Sequence, residues 1–355
     1  MRRVTGILLF IFLFIQVQDA FAQRRGRNLR ISNYRGSIKT FANKRYVGIG
    51  GGINLLNYFG DLSPRSGILS TDLAFTRPGL NLYLQYKYAP RFSWVVTLTY
   101  GNISGDDFES ADPNDELAKY RYIRNLQFRN MIVELSLTGK IDLLTNRGTY
   151  ISRPGINPFL FVGVGVFYHN PKAKAPETDQ LGNPVAEAGT WVALQPLGTE
   201  GQYSEFYDVK PYSRIQASVP VGLGVSFRLN EKLDFDFEIG YRVLFFDHID
   251  DVSGNYVDLG ALDSPVAKAL SDRSQEMVAV VSDSPRDFEN IINPNTTPYT
   301  YTSPYDGNTY EVYTGFGSEH PANIRGNASD NDILIVTSFK LTYILGGTFR
   351  NAKFR

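Results

Sequence analysis

Two neighbouring stretches decide the fold: Arg214–Phe227, RIQASVPVGLGVSF, and Lys232–Phe245, KLDFDFEIGYRVLF. Each alternates with a period of two. In the first, Ile215, Ala217, Val219, Val221, Leu223, Val225 and Phe227 share one face, opposite Arg214, Gln216, Ser218, Gly222, Gly224 and Ser226. In the second, Leu233, Phe235, Phe237, Ile239, Tyr241, Val243 and Phe245 oppose Asp234, Asp236, Glu238, Gly240 and Arg242. Alternation of this kind marks a strand with two unlike faces. Its persistence matches the roughly 9–11 residues that a tilted strand needs to cross a bilayer. One face suits hydrocarbon and the other suits charge and water, as in a membrane β-barrel.

Six further segments carry the same pattern: Arg45–Phe59, Gly79–Tyr88, Arg91–Tyr100, a strand within Tyr122–Thr138, Asn157–Tyr168 and Ile333–Leu345. The early half of the Tyr122–Thr138 segment is out of phase with the rest, which predicts a bulge. The expectation is an all-β chain, an eight-stranded antiparallel transmembrane β-barrel over residues 45–346. Connections alternate in length. Ala89-Pro90, Leu229–Glu231 and Lys140–Ile156 are short or moderate, whereas Gly60–Pro78, Gly101–Arg121, 169–213 and 247–332 are long. Short periplasmic turns and long extracellular loops are the habit of outer-membrane barrels, and an even strand number then puts both termini in the periplasm. Aromatics collect at both strand ends, with Tyr86, Tyr88, Phe92, Trp94, Phe227, Phe235 and Tyr343 toward the turns and Tyr100, Tyr168 and Phe245 toward the loops. That is the arrangement of interfacial girdles. A lipocalin-like soluble barrel would also alternate, but with the apolar face inward.

The N-terminus agrees with export. Arg2 and Arg3 precede the apolar run Ile7–Val17 and then Ala20-Phe21-Ala22, so residues 1–22 read as a signal peptide. Residues 23–44 form a basic periplasmic tail carrying Arg24, Arg25, Arg27, Arg30, Arg35, Lys39 and Lys44, and residues 347–355 a periplasmic C-terminal tail. The chain has no cysteine, which excludes disulfides and thiolate metal sites. Lys and Arg (36) balance Asp and Glu (36), so the bulk charge does not point to nucleic acid. A mean hydropathy of −0.22 is compatible with a barrel, because half of each strand is polar.

The inward faces carry Lys87, Arg91, Glu134, Arg214, Arg228, Asp234, Asp236, Glu238, Arg242 and Lys340. An eight-stranded barrel has room only for its own side chains, so these predict a paired polar core without a pore. The three histidines, His169, His248 and His320, are expected in loops. His248 lies in Asp247-His248-Ile249-Asp250-Asp251, where it reads as loop capping, a cation site, or a rim enzyme's Asp–His pair. The second acidic pair that such a rim enzyme needs is not evident, and the spacing departs from the calcium loop. No catalytic, cofactor-binding or metal residues are therefore assigned, and no cofactor or small-molecule substrate is expected. In the last loop, Leu262, Val266, Leu270 and Met277 are helix-compatible within Leu259–Val280.

Asn57–Pro64 (NYFGDLSP), Trp191–Gln202 (WVALQPLGTEGQ) and Gly240–Tyr256 (GYRVLFFDHIDDVSGNY) resemble a family of outer-membrane β-barrels from the Bacteroidota. That family includes the PorG-like barrel component of the type IX secretion system. The resemblance implies a non-enzymatic accessory, embedded in outer-membrane lipid and contacting periplasmic secretion machinery. A surface-binding or adhesion barrel acting through its long loops is the alternative.

Overall fold

In the computed structural model, residues 41, 44–62, 75–112, 118–146, 148–287, 298–313, 323–329 and 331–347 are described. The expected signal peptide, most of the expected basic tail, His320 and residues 348–355 lie outside them. In chain order the elements are β1 (Tyr46–Phe59), β2 (Arg77–Lys87), β3 (Phe92–Asp106), helices α1 (Asp107–Ser110) and α2 (Lys119–Arg124), β4 (Gln127–Asp142), β5 (Ile156–Lys174), the short β6 (Trp191–Ala193), β7 (Ile215–Arg228) and β8 (Leu233–Leu244). Then come α3 (Pro265–Ser271), the two-residue β9 (Val278–Ala279) and β10 (Ser284–Pro285), the hairpin β11 (Pro298–Thr302) and β12 (Thr309–Tyr313), and β13 (Ile333–Gly347).

Eight of these strands close into one antiparallel ring, in the order β1-β2-β3-β4-β5-β7-β8-β13 and back to β1. First and last strands pair along their full length, from Tyr46 opposite Gly347 to Phe59 opposite Ile333. Closure removes every free edge, the condition for a sheet to sit in hydrocarbon. The outer wall is apolar and uncovered: Leu82 is 67% exposed and Val164 64%. Inside, Lys87, Glu134, Asp236, Arg242 and Lys340 are buried. This polarity is the reverse of a lipocalin and identifies a transmembrane barrel. Phe92 packs edge-on against Trp94 at 4.8 Å, and Phe227 meets Phe235 at 6.2 Å, in the turn-side girdle.

The expected bulge in the fourth strand is absent. β3 and β4 run in unbroken register from Phe92 opposite Ile141 to Asp106 opposite Gln127. The early residues are out of phase because Lys119–Arg124 is a helix, closed by Asn125 at φ 55°. The one shift between β1 and its partner β13 falls at Val47/Gly48. β5 is longer than its sequence pattern, running 19 residues to Lys174, so His169 belongs to a strand and not to a loop. Within Leu259–Val280 only Pro265–Ser271 is an α-helix, started by Ser264, whose side chain accepts from the Ala267 amide at 3.2 Å.

The two glycines of β7, Gly222 and Gly224, are set by close approach. A Cβ at either would collide with a β5 ring, Phe161 or Phe159, and with the β8 backbone. The lumen is packed too tightly there for any side chain.

The outer wall yields a direct prediction. Leu82→Arg places a charge near the bilayer midplane and should lower barrel stability by about 2–4 kcal/mol. The same charge at Ser282→Arg, on an exposed turn of the connection between β8 and β13, should have little effect. Heat-modifiable, folded barrel is measured by gel mobility after reconstitution. Equal yields for the two variants would contradict the lipid-facing assignment of β2.

Candidate functional site

The lumen is built from charge pairs contributed by alternate residues of facing strands. Lys87 bonds Asp142; Lys140 meets Asp236 at 3.3 Å and donates to Ser226 Oγ at 3.0 Å; Arg242 meets Glu134 at 3.1 Å; Lys340 meets Glu238 at 2.6 Å. Most inward charges expected from the sequence are here, with three exceptions. Arg91 is exposed in the β2–β3 turn, donating to Thr145 at 2.7 Å. Arg214 precedes β7 and is half-buried. Arg228 reaches only the turn end, donating to the Arg153 carbonyl at 3.0 Å.

Lys140, Asp142 and Arg153 are the lumen residues the sequence reading missed. Lys140 and Asp142 continue the inward row Glu134, Ser136, Thr138, so their parity was the available signal. Arg153, in the β4–β5 connection, gave none. It pairs with Asp234 at 2.7 Å and donates to the carbonyls of Tyr150, Glu231, Asn230 and Leu233. This one guanidinium ties two turns together across the turn-side mouth.

The loop-side third of the lumen is apolar. Leu56, Tyr58, Ile103, Phe128, Ile132, Phe167, Leu244, Leu334 and Val336 form one buried cluster with Ile249 and Val252, from the segment after β8. The long connections fold over this plug as a cap. Ala173, Ala175, Val185, Leu194, Val266, Ala269 and Leu270 make one of its cores, and Val257, Leu259, Leu262, Ala267, Tyr301, Tyr310 and Val312 another.

Between plug and cap sits the Asp–His segment. Tyr58 of β1 bonds Asp250 and stands 3.1 Å from Asp332 Oδ1. Burial first, and Asp61 next, push Asp250 well above the usual carboxylate range; burial and Asp250 do the same to Asp332. The Tyr58 hydroxyl is the donor toward both carboxyl groups, so one phenol links β1 to the segment after β8 and to the residue just before β13. Asp251 accepts from Thr199 and Tyr212, each at 2.5 Å. Tyr212 stacks on His248 at 4.9 Å and on His169 at 5.7 Å. Glu200 lies 3.6 Å from His248 and 2.8 Å from Arg325, and accepts from the Ser253 amide at 3.0 Å. Burial alone would raise Glu200, but His248 and Arg325 hold it at about 2. Burial alone would lower His248, yet Glu200 raises it. Among the described residues, no group of three His, Cys, Asp or Glu side chains is placed to hold a metal ion. Asp250 joins the segment to the barrel through Tyr58, and Asp251 joins it to the cap through Thr199 and Tyr212.

The three sequence segments that carry the family resemblance meet here. Tyr58 and Asp61 come from the first, Thr199 and Glu200 from the second, Asp250 and Asp251 from the third. Asp61 accepts from the Asn327 amide at 2.8 Å, and its carbonyl accepts from Arg124 at 2.8 Å. They are distant in sequence and form one junction in space.

The junction should be pH-sensitive. Burial raises Asp247 to about 7, and Asp251 and Asp272 to about 6, from a usual 3.8. Through the window from 3.8 up to these values the folded cap binds protons that the unfolded chain has released, so its stability falls as pH rises. His248 acts in the same direction: its contribution is complete below the usual 6.5 and is lost as pH rises through the folded value. Glu200 opposes only in acid, since its contribution is present above the usual 4.5 and is lost as pH falls toward about 2. Amide exchange in residues 247–287, corrected for intrinsic rates, should therefore show cap protection reduced by about tenfold or more between about pH 5 and pH 8. Protection that rises over that interval would contradict the proton count.

A family model described as a domain of unknown function, DUF6089, matches residues 11–183, just under half of the chain. A comparison with curated proteins found no match. Among solved structures, the chain is similar to Ail, the attachment invasion locus protein of Yersinia pestis, crystallised with the heparin analogue sucrose octasulfate; identity is 8%, coverage 85% of this chain and 99% of that one, and TM-score 0.34. It is similar to the outer membrane protein OprG from Pseudomonas aeruginosa at 10% identity, 86% and 97% coverage and TM-score 0.34. A major outer membrane protein from Thermus thermophilus matches at 10% identity, 84% and 99% coverage and TM-score 0.36.

Proposed function

We propose that the protein is a non-enzymatic outer-membrane barrel, with both termini in the periplasm, that serves as an accessory to type IX protein secretion and contacts periplasmic machinery from its turn side. The observation that carries the reading is a lumen filled by paired charges, with Arg153 bridging the turns below and the apolar plug and cap above. A lumen filled by its own side chains leaves no room for a solute to pass, so the barrel works through its surfaces. The turn side offers exposed Leu144, Ile151 and Leu229, and Arg45, next to the basic segment, is fixed there over Tyr88 at 4.4 Å. Secretion as the process, and the Bacteroidota as the source, rest on the resemblance of the three junction segments.

A second reading, surface binding, is favoured by one feature of the cap: Phe206 is 56% exposed and packs on the exposed Tyr305 at 4.2 Å. The test separates the two sides. In one strain Arg24, Arg25, Arg27 and Arg30 become Ser and Ile151 becomes Glu; in another Phe206 and Tyr305 become Ser. Barrel level, cargo export and surface binding are followed in both. Export lost in the first strain alone supports secretion. Export intact in both, with surface binding lost in the second, overturns it in favour of the binding reading.

A further inference from the structure

We propose that the outer rim of the barrel wall, at Arg129, Lys172 and Trp191, binds the phosphate groups of a phosphorylated glycolipid in the outer leaflet. The proposal rests on the outer-membrane orientation given above, with the cap outside. On β4 and β5 the outward positions descend from Arg129 opposite Lys172, through Met131 opposite Asn170, to Val133 opposite Tyr168. Tyr168 and the exposed Tyr100, which pairs with Val133 from the other side, belong to the loop-side girdle. Arg129 is four residues above that level, about 13 Å along a strand and less in height because strands tilt. That is the depth of headgroups, above the hydrocarbon.

Ser104 of β3 lies opposite Arg129 on the other side. Two cations of adjacent strands, Arg129 and Lys172, thus face one level of the wall. Like charges directly opposite in an antiparallel pair destabilise the sheet unless an anion lies between them. Among the described residues neither Arg129 nor Lys172 has an ion-pair partner. The nearby carboxylate of Asp106 is turned to the amides of Phe108 and Glu109, where it caps α1. The Arg129 guanidinium instead lies over the Trp191 ring, 3.9 Å from its centroid. The ring contact restricts the side chain and uses none of the guanidinium N–H groups as hydrogen-bond donors to oxygen, and a guanidinium can bind phosphate through two parallel hydrogen bonds. Trp191 is held there by β6, whose Ala193 pairs with Lys172. The sheet extends by three residues at this point and nowhere else along the ring, among the described residues.

Trp191 also reports on the site. The chain has two tryptophans, so Trp94→Phe leaves Trp191 as the single emitter. Folded protein in that background is titrated in detergent with bisphosphorylated lipid A and with the same lipid stripped of phosphate. The phosphorylated lipid should bind tighter by about tenfold or more. Arg129→Gln with Lys172→Gln should erase the preference while heat-modifiability persists; Lys210→Gln, an exposed cap lysine, should leave it intact. Should the double variant not fold, Arg129→Lys answers alone, since it keeps the charge and loses the fork, and the preference must fall. Inorganic phosphate at millimolar concentration should not compete; full competition would assign the site to a free anion and overturn the lipid. A preference unchanged in Arg129→Gln/Lys172→Gln, or in Arg129→Lys, overturns the site. Orientation is read separately, by labelling Thr178→Cys in the otherwise cysteine-free chain on intact cells with an impermeant maleimide. Failure of that label removes the outer-membrane reading without touching the phosphate preference measured in detergent.

Discussion

Replacing Arg325 with Leu is expected to release the cap from the barrel while the barrel itself stays folded. Arg325 is 2% exposed. Its guanidinium donates to Glu200 at 2.8 Å, to the Asp251 carbonyl at 2.7 Å and to the Ser271 carbonyl at 3.2 Å. Its own carbonyl accepts from Arg124 at 2.6 Å. Leu fills similar space but leaves the buried Glu200 with His248 as its remaining ion-pair partner. Breaking a buried ion pair from one side costs about 3–5 kcal/mol, because the remaining charge loses its compensation. Two carbonyls lose their donor in addition. The loss falls on the cap, since the ladder of the eight strands does not involve Arg325. Limited chymotrypsin digestion should cut the cap at residues 203–212 or 299–313 in the variant and spare it in the wild type. Both proteins should remain heat-modifiable. A variant whose cap resists digestion as the wild type does would show that the apolar clusters alone hold it.

That division between cap and barrel is also the division between what the sequence reveals and what it conceals. The strands are legible because a membrane wall imposes one rule on every residue: outward positions meet hydrocarbon and inward positions meet each other. Period-two runs such as Leu233–Leu244 obey it without local exceptions. Where the rule lapses the reading lapses too. Tyr122 and Ile123 looked like an out-of-phase strand because a short helix there buries them against the loops. β5 continues past Tyr168 through His169, Pro171 and Ala173, which are buried under the cap and have no lipid to face, so the alternation loses its contrast. The cap follows no period at all. Its buried Arg124, Arg273, Arg286 and Arg325 satisfy backbone carbonyls from segments far apart in sequence. Ordinary composition marks such residues as surface charge. The Asp–His segment was visible as a motif, but its role was not, because Tyr58, Glu200 and Tyr212 reach it only through the fold.

Removing Glu134 should destabilise the barrel more than removing Glu134 and Arg242 together. Glu134 accepts from Ser218 Oγ at 2.7 Å and pairs with Arg242 at 3.1 Å, between β4 and β8 across the lumen. Both are buried. Glu134→Leu leaves a guanidinium inside a closed barrel, where water cannot replace the carboxylate, and should cost about 3–5 kcal/mol. Arg242→Met alone should cost a similar amount through the stranded carboxylate. The double variant restores neutrality at close to the original volume, so its loss should be smaller than either single loss, a coupling well above the few tenths of a kcal/mol seen between independent sites. Urea unfolding of barrels refolded into vesicles, followed by tryptophan emission, measures all four corners of the cycle. No corner should acquire a stable conductance in planar bilayers, because Arg153 still bridges the turns and the cluster around Leu56 and Phe128 still fills the loop side. Additive single losses would mean that the pair is solvated and that water runs through the lumen. A defined conductance in the wild type, altered by Asp236→Asn, would say the same from the other side and would overturn the filled-lumen reading on which the proposed function stands.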